Sequence, residues 1–204
     1  CEVPVGVEMG VAAADQAVIL RELVRATALR FDRPVSFNPL RSLDGVGNGV
    51  HVHFSLKDAS GKPVMYDSNS QYQLSDVAGS FVSGILKYLP EFLCLTAPLA
   101  TSYLRLTPHR WSAAFNNLGA QDREASLRIC PVSGDTEDQR ASRFNIEYRA
   151  ADAAASPYLV LAALLHAGAQ GIEEKLPKPV VTTDDLSLLD ENALKSRGLS
   201  RLPQ

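Results

Sequence analysis

The apolar positions of the chain change period several times, and each change marks an element. From residue 15, Leu20, Val24, Ala28 and Phe31 recur at spacings of four, four and three, one stripe of a helix. Asp15 is placed to cap it, and it must stop before Pro34. Residues 38–49 are crowded with Asn, Pro, Asp and Gly and predict a loop. Period two follows, with Val50, Val52, Phe54 and Leu56 alternating against His51, His53 and Ser55, a half-buried strand. Asp58 to Lys62 read as a turn. Ser75 can cap a second helix through about Tyr88, carried by Val77, Phe81 and Ile85, and a separate apolar segment runs from Phe92 to Leu99. Strands are expected over 113–117, 124–132 and 144–148. Ser156-Pro157 then opens the best helix of the chain, with Val160, Ala163, Leu164 and Ala167 on its apolar side. There is no regular strand–helix–strand alternation, so the pattern predicts an α+β fold.

Composition narrows the function classes. The 204 residues are 46% apolar and 21% charged, which is globular rather than disordered, and are enough for one substantial domain. Twenty Lys and Arg against 23 Asp and Glu leave a net charge of −3, which gives no electrostatic reason to expect nucleic acid or an anionic membrane as partner. The longest apolar run falls short of the ~20 residues of a membrane span. Cys1, Cys94 and Cys130 fit no disulfide framework and no paired-cysteine metal spacing. No leader segment is visible, and the expectation is a cytoplasmic protein. Cys1 and Gln204 both read as cut ends within a longer polypeptide.

Three groups of residues carry chemistry. His51, His53 and Ser55 share one strand face, with the histidines ~7 Å apart, behind a loop in which Gly45, Gly47 and Gly49 allow close backbone approach. That face could equally be a solvated sheet surface, or a pair of metal ligands in a binuclear hydrolase, although only His109 and His166 remain to complete such a site. His166, among Leu164, Leu165 and Ala167, reads as a core histidine. Arg105, Arg123, Arg128 and Arg149 lie in or beside apolar segments, where a guanidinium needs a carboxylate or phosphate partner. Structural ion pairing would satisfy each singly; four together point to a phosphate-bearing ligand. Glu2 and Glu8, six apart and on one face if extended, form with His51 and Glu147 an oxygen-rich set suited to Mg²⁺ or Mn²⁺.

Read together, these segments resemble the glutamine synthetase family. Gly47 to Ser55 (GNGVHVHFS) is similar to its G-x-G-x-H-x-H-x-S signature, and Thr101 to Pro108 (TSYLRLTP) to N-S-Y-K-R-L-x-P. Arg123 to Ile129 (REASLRI) resembles N-R-x-A-x-x-R-I, and Asn145 to Arg149 (NIEYR) with Asp152 to Tyr158 (DAAASPY) resembles R-I-E-x-R followed by P-D-x-x-A-N-P-Y. The resemblance implies a curved, mostly antiparallel sheet with helices packed on it. Residues 1–204 would be part of the catalytic domain, without the family's N-terminal β-grasp domain. It implies ATP-dependent ligation of ammonia or an amine to the γ-carboxylate of glutamate through γ-glutamyl phosphate, or else a non-catalytic structural or regulatory member. A guanidino kinase, which shares the fold, would leave the H-x-H-x-S strand unexplained.

The implied roles follow the motifs. His51 and Glu147 would hold one divalent cation, and Glu2 and Glu8 the other. Gly47, His51, Arg105 and Arg149 would bind glutamate, with Arg105 and Arg123 catalytic. His53, Ser55, Arg123 and Arg128 would meet ATP and the transferred phosphate. Partners would be neighbouring copies, in the family's ring-stacked dodecamer. Three departures stand out: Asn145 replaces an arginine that helps hold nucleotide, Glu2 sits one residue off the usual spacing, and Pro108-His109-Arg110-Trp111 stands where the family reads P-G-Y-E. That missing glutamate lines the family's ammonium pocket, so Trp111 implies an organic amine instead.

Overall fold

The computed structural model describes residues 2–203, so Cys1 and Gln204 lie outside the described residues. Strands β1 (Val52–Phe54), β2 (Phe115–Ala120), β3 (Ala125–Ile129), β4 (Ile146–Tyr148) and β5 (Val181–Thr182) form one sheet in the order β1-β4-β3-β2-β5. The helices are α1 (Val11–Arg30), α2 (Asp76–Thr96), α3 (Ala100–Arg105), α4 (Glu137–Arg143), α5 (Pro157–Glu173) and α6 (Glu191–Ser196). This is an α+β fold. The sheet is mixed rather than mostly antiparallel: β1–β4 and β4–β3 run antiparallel, β3–β2 and β2–β5 parallel. Parallel neighbours ordinarily need a crossover of a dozen residues. Here only Gln121–Glu124 reconnect them, with Gln121 at φ 58° and Asp122 Oδ1 accepting from Glu124 N at 2.8 Å.

Register places the chemistry. His53 on β1 lies opposite Glu147 on β4, and Glu147 lies opposite Arg128 on β3, so the three side chains share one face. The other face presents Leu127, Tyr148 and Val52 to the core. β1 is shorter than the sequence pattern predicts. Val50 N instead bonds Ala151 O at 3.0 Å, leaving His51 just outside the strand.

α2 and α5 pack closely on the core face. A Cβ on Gly84 would lie 2.2 Å from Ala167 O, and one on Gly171 2.2 Å from Ser80 O, so backbone meets backbone at the crossing. Gly168 lies under the Phe81 ring. Ser75 caps α2 as expected, accepting from Ala78 N at 3.1 Å. The helix runs on through Pro90 to Thr96 where the sequence predicts a break near Tyr88. A proline removes the bond to the carbonyl four residues back. That carbonyl, Leu86 O, accepts instead from Asn116 Nδ2 of β2 at 2.8 Å.

Other expectations are corrected. α1 begins at Val11 behind Gly10, at φ 58°, and Asp15 is no cap; it accepts from the Tyr158 hydroxyl at 2.5 Å. α3, α4 and α6 are too short for a visible period; Thr136 caps α4 and Asp190 caps α6 through their side chains. His166 is exposed on α5 rather than in the core. Among the described residues no helix is long and apolar enough to cross a membrane.

Candidate active site

The site is built on the charged face of β1, β4 and β3. Glu147 is 2% exposed and surrounded by cations. Arg128 Nη1 donates to its Oε2 at 2.8 Å, Arg149 Nη1 donates to its Oε1, and His51 Nδ1 lies 3.1 Å from Oε1. Burial pushes the Glu147 carboxyl up. The hydrogen bonds from His51 and Arg128 and the charge of Arg149 together outweigh it and hold the group well below the ordinary carboxylate range. A buried charge left without partners would be costly, so Arg128 and Arg149, with the hydrogen bond from His51, are part of what lets Glu147 sit in the sheet.

Arg149 does more than pair with Glu147. Its Nε donates to Arg123 O at 2.8 Å and its Nη2 to Trp111 O at 3.2 Å. One guanidinium therefore ties β4 to the 109–111 loop and to the return between β2 and β3. His109 and Trp111 both take left-handed backbone, at φ 62° and 55°, and Trp111 is 66% exposed. Arg123 is exposed and its side chain has room to meet a ligand.

Arg105 is placed differently from the sequence expectation. It is 2% exposed, and its Nη2 donates to Ala150 O and Ala151 O at 3.2 and 2.9 Å. Its stem explains the glycines: a Cβ on Gly47 would fall 2.3 Å from Arg105 Cγ, and one on Gly49 2.9 Å from its Nη1. Arg105 thus seats the glycine loop against the chain leaving β4. Asp152 supports it, pairing backbone with Gly49; burial lowers the Arg105 pKa, and the charge of Asp152 offsets that in part.

His53 is half exposed and Ser55 exposed on the same strand edge. His53 Nδ1 meets Asn145 Oδ1 at 2.9 Å and Cys130 Sγ at 3.6 Å. Burial, with Glu147 nearby, pushes the Cys130 thiol up to about 11, so it is no nucleophile. Motif reading does not single out Cys130, and its only signal is its position beside Arg128.

The four-ligand metal set is not brought together. Glu2 and Glu8 stay exposed in the segment before α1, with Glu8 Oε1 accepting from Gln16 Nε2 at 3.1 Å. Among the described residues no three His, Cys, Asp or Glu side chains converge as a metal-holding group. His51 and Glu147, an imidazole and a carboxylate in contact, fit two positions around one Mg²⁺ or Mn²⁺ ion.

A second feature escapes motif reading. A cavity of about 350 Å³ lies beyond the 109–111 loop, lined by His109, Asp122, Glu124, Asp184 and Asp185 among others. Its signal in the sequence is only the acidic residues on either side of Arg123 and the Thr-Asp-Asp run at 183–185. Asp184 is paired with Arg197 at 2.6 and 2.9 Å, and Asp185 and Asp122 accept from Ser187 N and Glu124 N, which leaves Glu124 as its freest charge among the described residues.

Comparison with known proteins accords with this geometry. The model of the glutamine synthetase catalytic domain matches residues 1–204. A γ-glutamylpolyamine synthetase, GlnA3, of Streptomyces coelicolor is 40% identical over 202 residues, 99% of this chain and 42% of that protein. A glutamine synthetase of Halobacterium salinarum is 32% identical over 190 residues, 93% of this chain and 40% of its own length. Among solved structures, a crystal structure of a glutamine synthase homolog superposes with a TM-score of 0.80 at 42% identity, over 95% of this chain and 42% of that one. The Plasmodium falciparum glutamine synthetase superposes at 0.73 with 28% identity, over 83% of this chain and 32% of that one. The chain thus spans well under half the length of the relatives it matches.

Proposed function

Since this chain belongs to the glutamine synthetase family through its catalytic domain, we propose that the protein carrying it uses ATP to join an organic amine to the γ-carboxylate of glutamate. The observation that carries this reading is the placement of Trp111. Its carbonyl accepts from Arg149 Nη2 at 3.2 Å, so the backbone of this residue stands beside the charged strand face, and the residue is 66% exposed. Ammonium needs a carboxylate there to attract it and to take its proton. An indole offers an apolar, π-faced wall instead, suited to the carbon body of an amine, with a cation–π contact of about 0.5–2 kcal/mol. The acidic cavity beyond His109 supplies a place for a second cationic group on the same molecule. The similarity to a protein named for polyamines points the same way.

The division of labour follows the charges. Arg149 would receive a carboxylate of glutamate, and Arg105 beneath the Gly47–Gly49 loop would hold that loop in place for it. Arg123 and Arg128 would offset charge spreading over the phosphoryl oxygens as γ-glutamyl phosphate forms. His53 and Ser55 would face the nucleotide. His51 and Glu147 would hold Mg²⁺ or Mn²⁺, which when bound neutralises phosphate charge. The amine, its ammonium proton first lost to water, then attacks the acyl carbon; phosphate leaves with the bonding pair, and the second proton on nitrogen passes to it or to water. Glu2 and Glu8, and a neighbouring copy in a homo-oligomer, would complete the site.

Steady-state kinetics of the complete protein with ammonia, monoamines and diamines test this. The expected result is the highest kcat/KM for a diamine or longer polyamine, and a loss of about tenfold for Trp111→Ala with that substrate. If ammonia gives the highest value and Trp111→Glu does not raise it, the amine reading is wrong. If no glutamate-dependent phosphate release occurs with any amine, ligation itself is wrong.

A further inference from the structure

We propose that Arg110 is a positioning residue: it ties the loop that carries Trp111 to the glycine-rich turn at Gly45, and so sets the spacing between the amine side and the glutamate side of the site. Its Nη1 donates to Gly45 O at 3.2 Å, between segments 65 residues apart in the chain. The turn has no other such partner. Among the described residues, 42–47 otherwise hydrogen-bond only within themselves, Gly45 N to Ser42 O at 3.0 Å and Asp44 N to Ser42 Oγ at 3.4 Å. Anchoring resumes at Asn48, whose N donates to Pro39 O at 2.7 Å and whose O accepts from Ala153 N at 3.3 Å. The Arg110 bond is therefore the one hydrogen bond among the described residues that joins this largely exposed stretch to the rest of the fold.

The other end of the tether is held on both sides of Arg110. His109 Nε2 lies 3.1 Å from Ser187 Oγ, and Trp111 O accepts from Arg149 Nη2 at 3.2 Å. Both residues take left-handed backbone, which a Cβ disfavours, so these contacts hold the loop against its local preference. Arg110 itself is half-buried, and its bond to a carbonyl is charge-assisted. Where the family motif reads P-G-Y-E, the residue matched to Arg110 is tyrosine, so the guanidinium is a departure next to the missing glutamate. The two departures belong together. A glutamate at position 111 could be drawn to the strand face by its cations; an indole cannot, and the tether from Arg110 replaces that pull.

The substrate half of this inference rests on the function proposed above; the tether itself does not. Trp111 is the single tryptophan of the 204 residues, so its time-resolved fluorescence anisotropy reports the motion of this loop. Arg110→Met keeps the stem and loses the donor, and should show a larger share of fast depolarisation with unchanged far-UV circular dichroism. Arg110→Lys, which keeps a charged donor, should stay close to the unsubstituted chain. If Arg110→Met fails to fold, Arg110→Gln carries the same comparison, with a smaller increase expected. Unchanged anisotropy in the folded variant overturns the tether. In the complete protein, Arg110→Met should raise KM for both glutamate and the amine about tenfold with little change in kcat, leave KM for ATP unchanged, and be rescued by Arg110→Lys. Unchanged KM values for glutamate and amine overturn the positioning role, and an equal rise for ATP does so by marking a general loss of structure. A complete protein without ligase activity toward any amine removes the function proposed above and this role with it, and leaves the anisotropy result to decide the tether.

Discussion

Helices α1 and α2 have nearly the same length, 20 and 21 residues, and opposite fates. α2 buries Phe81, Val82, Ile85, Leu89, Phe92 and Leu93 against α5 and the sheet. α1 buries only Ala14, while Ile19, Leu23 and Leu29 on it, and Val7, Met9 and Phe31 beside it, stay exposed. The candidate site is split along the same line. Glu147, Arg128, Arg149 and His51 are fixed by the well-packed region, whereas Glu2 and Glu8 belong to the segment leading into α1. One half of the proposed chemistry is thus preorganised by its own fold, and the other sits on a segment that buries little of itself.

Four substitutions sharpen that contrast. The largest effect is expected at Arg149→Met, which leaves Glu147 short of a buried countercharge and should cost about 3–5 kcal/mol in urea denaturation. Acid gives an independent measure of the same carboxylate. Its folded pKa is depressed below the unfolded value, so its contribution is fully present above about pH 4.5 and is lost as pH falls below that. Glu147→Gln should flatten this part of the stability profile; an unchanged profile would mean that the carboxylate is not held as described. Next comes Gly171→Ala, whose Cβ would press on Ser80 O and the Gly84 backbone. A loss of about 1–3 kcal/mol is expected from overpacking, and a loss under 0.5 kcal/mol would show that the crossing can open. Smallest is Leu23→Ser on α1, at 59% exposure, which should change the stability of the chain by less than about 0.5 kcal/mol. A large loss there would erase the difference between the two helices.

The sequence was most readable where local period and tertiary role coincide. The alternation through His51–Ser55 and through Phe144–Arg149 marks β1 and β4, and the motif residues His51, Glu147, Arg128 and Arg149 do meet. The parallel pairing of β2 and β3 was not readable, because a four-residue return carries no signal of its own direction. The seat of Arg105 was also hidden: motif order names the residue, but not that its guanidinium turns toward two backbone carbonyls. The same holds for Trp111, which reaches Arg149 through its carbonyl, an atom every residue possesses. α4 and α6 are specified by their caps more than by apolar spacing.

Pro90 gives α2 a dependence that its smooth course conceals. An isolated peptide of this sequence has a gap in its ladder at Leu86 O, and the turn around it would fray in water. The donor that closes the gap, Asn116 Nδ2, arrives from a strand residue that the chain makes 30 residues later. Helix continuity here is an assembled property, and the second half of α2 becomes stable when β2 docks. The pair also acts as a key: only one placement of strand against helix sets an amide opposite the one carbonyl without a partner. A slip by a turn would leave both part-buried groups without each other, so the proline makes wrong alignments of this interface costly.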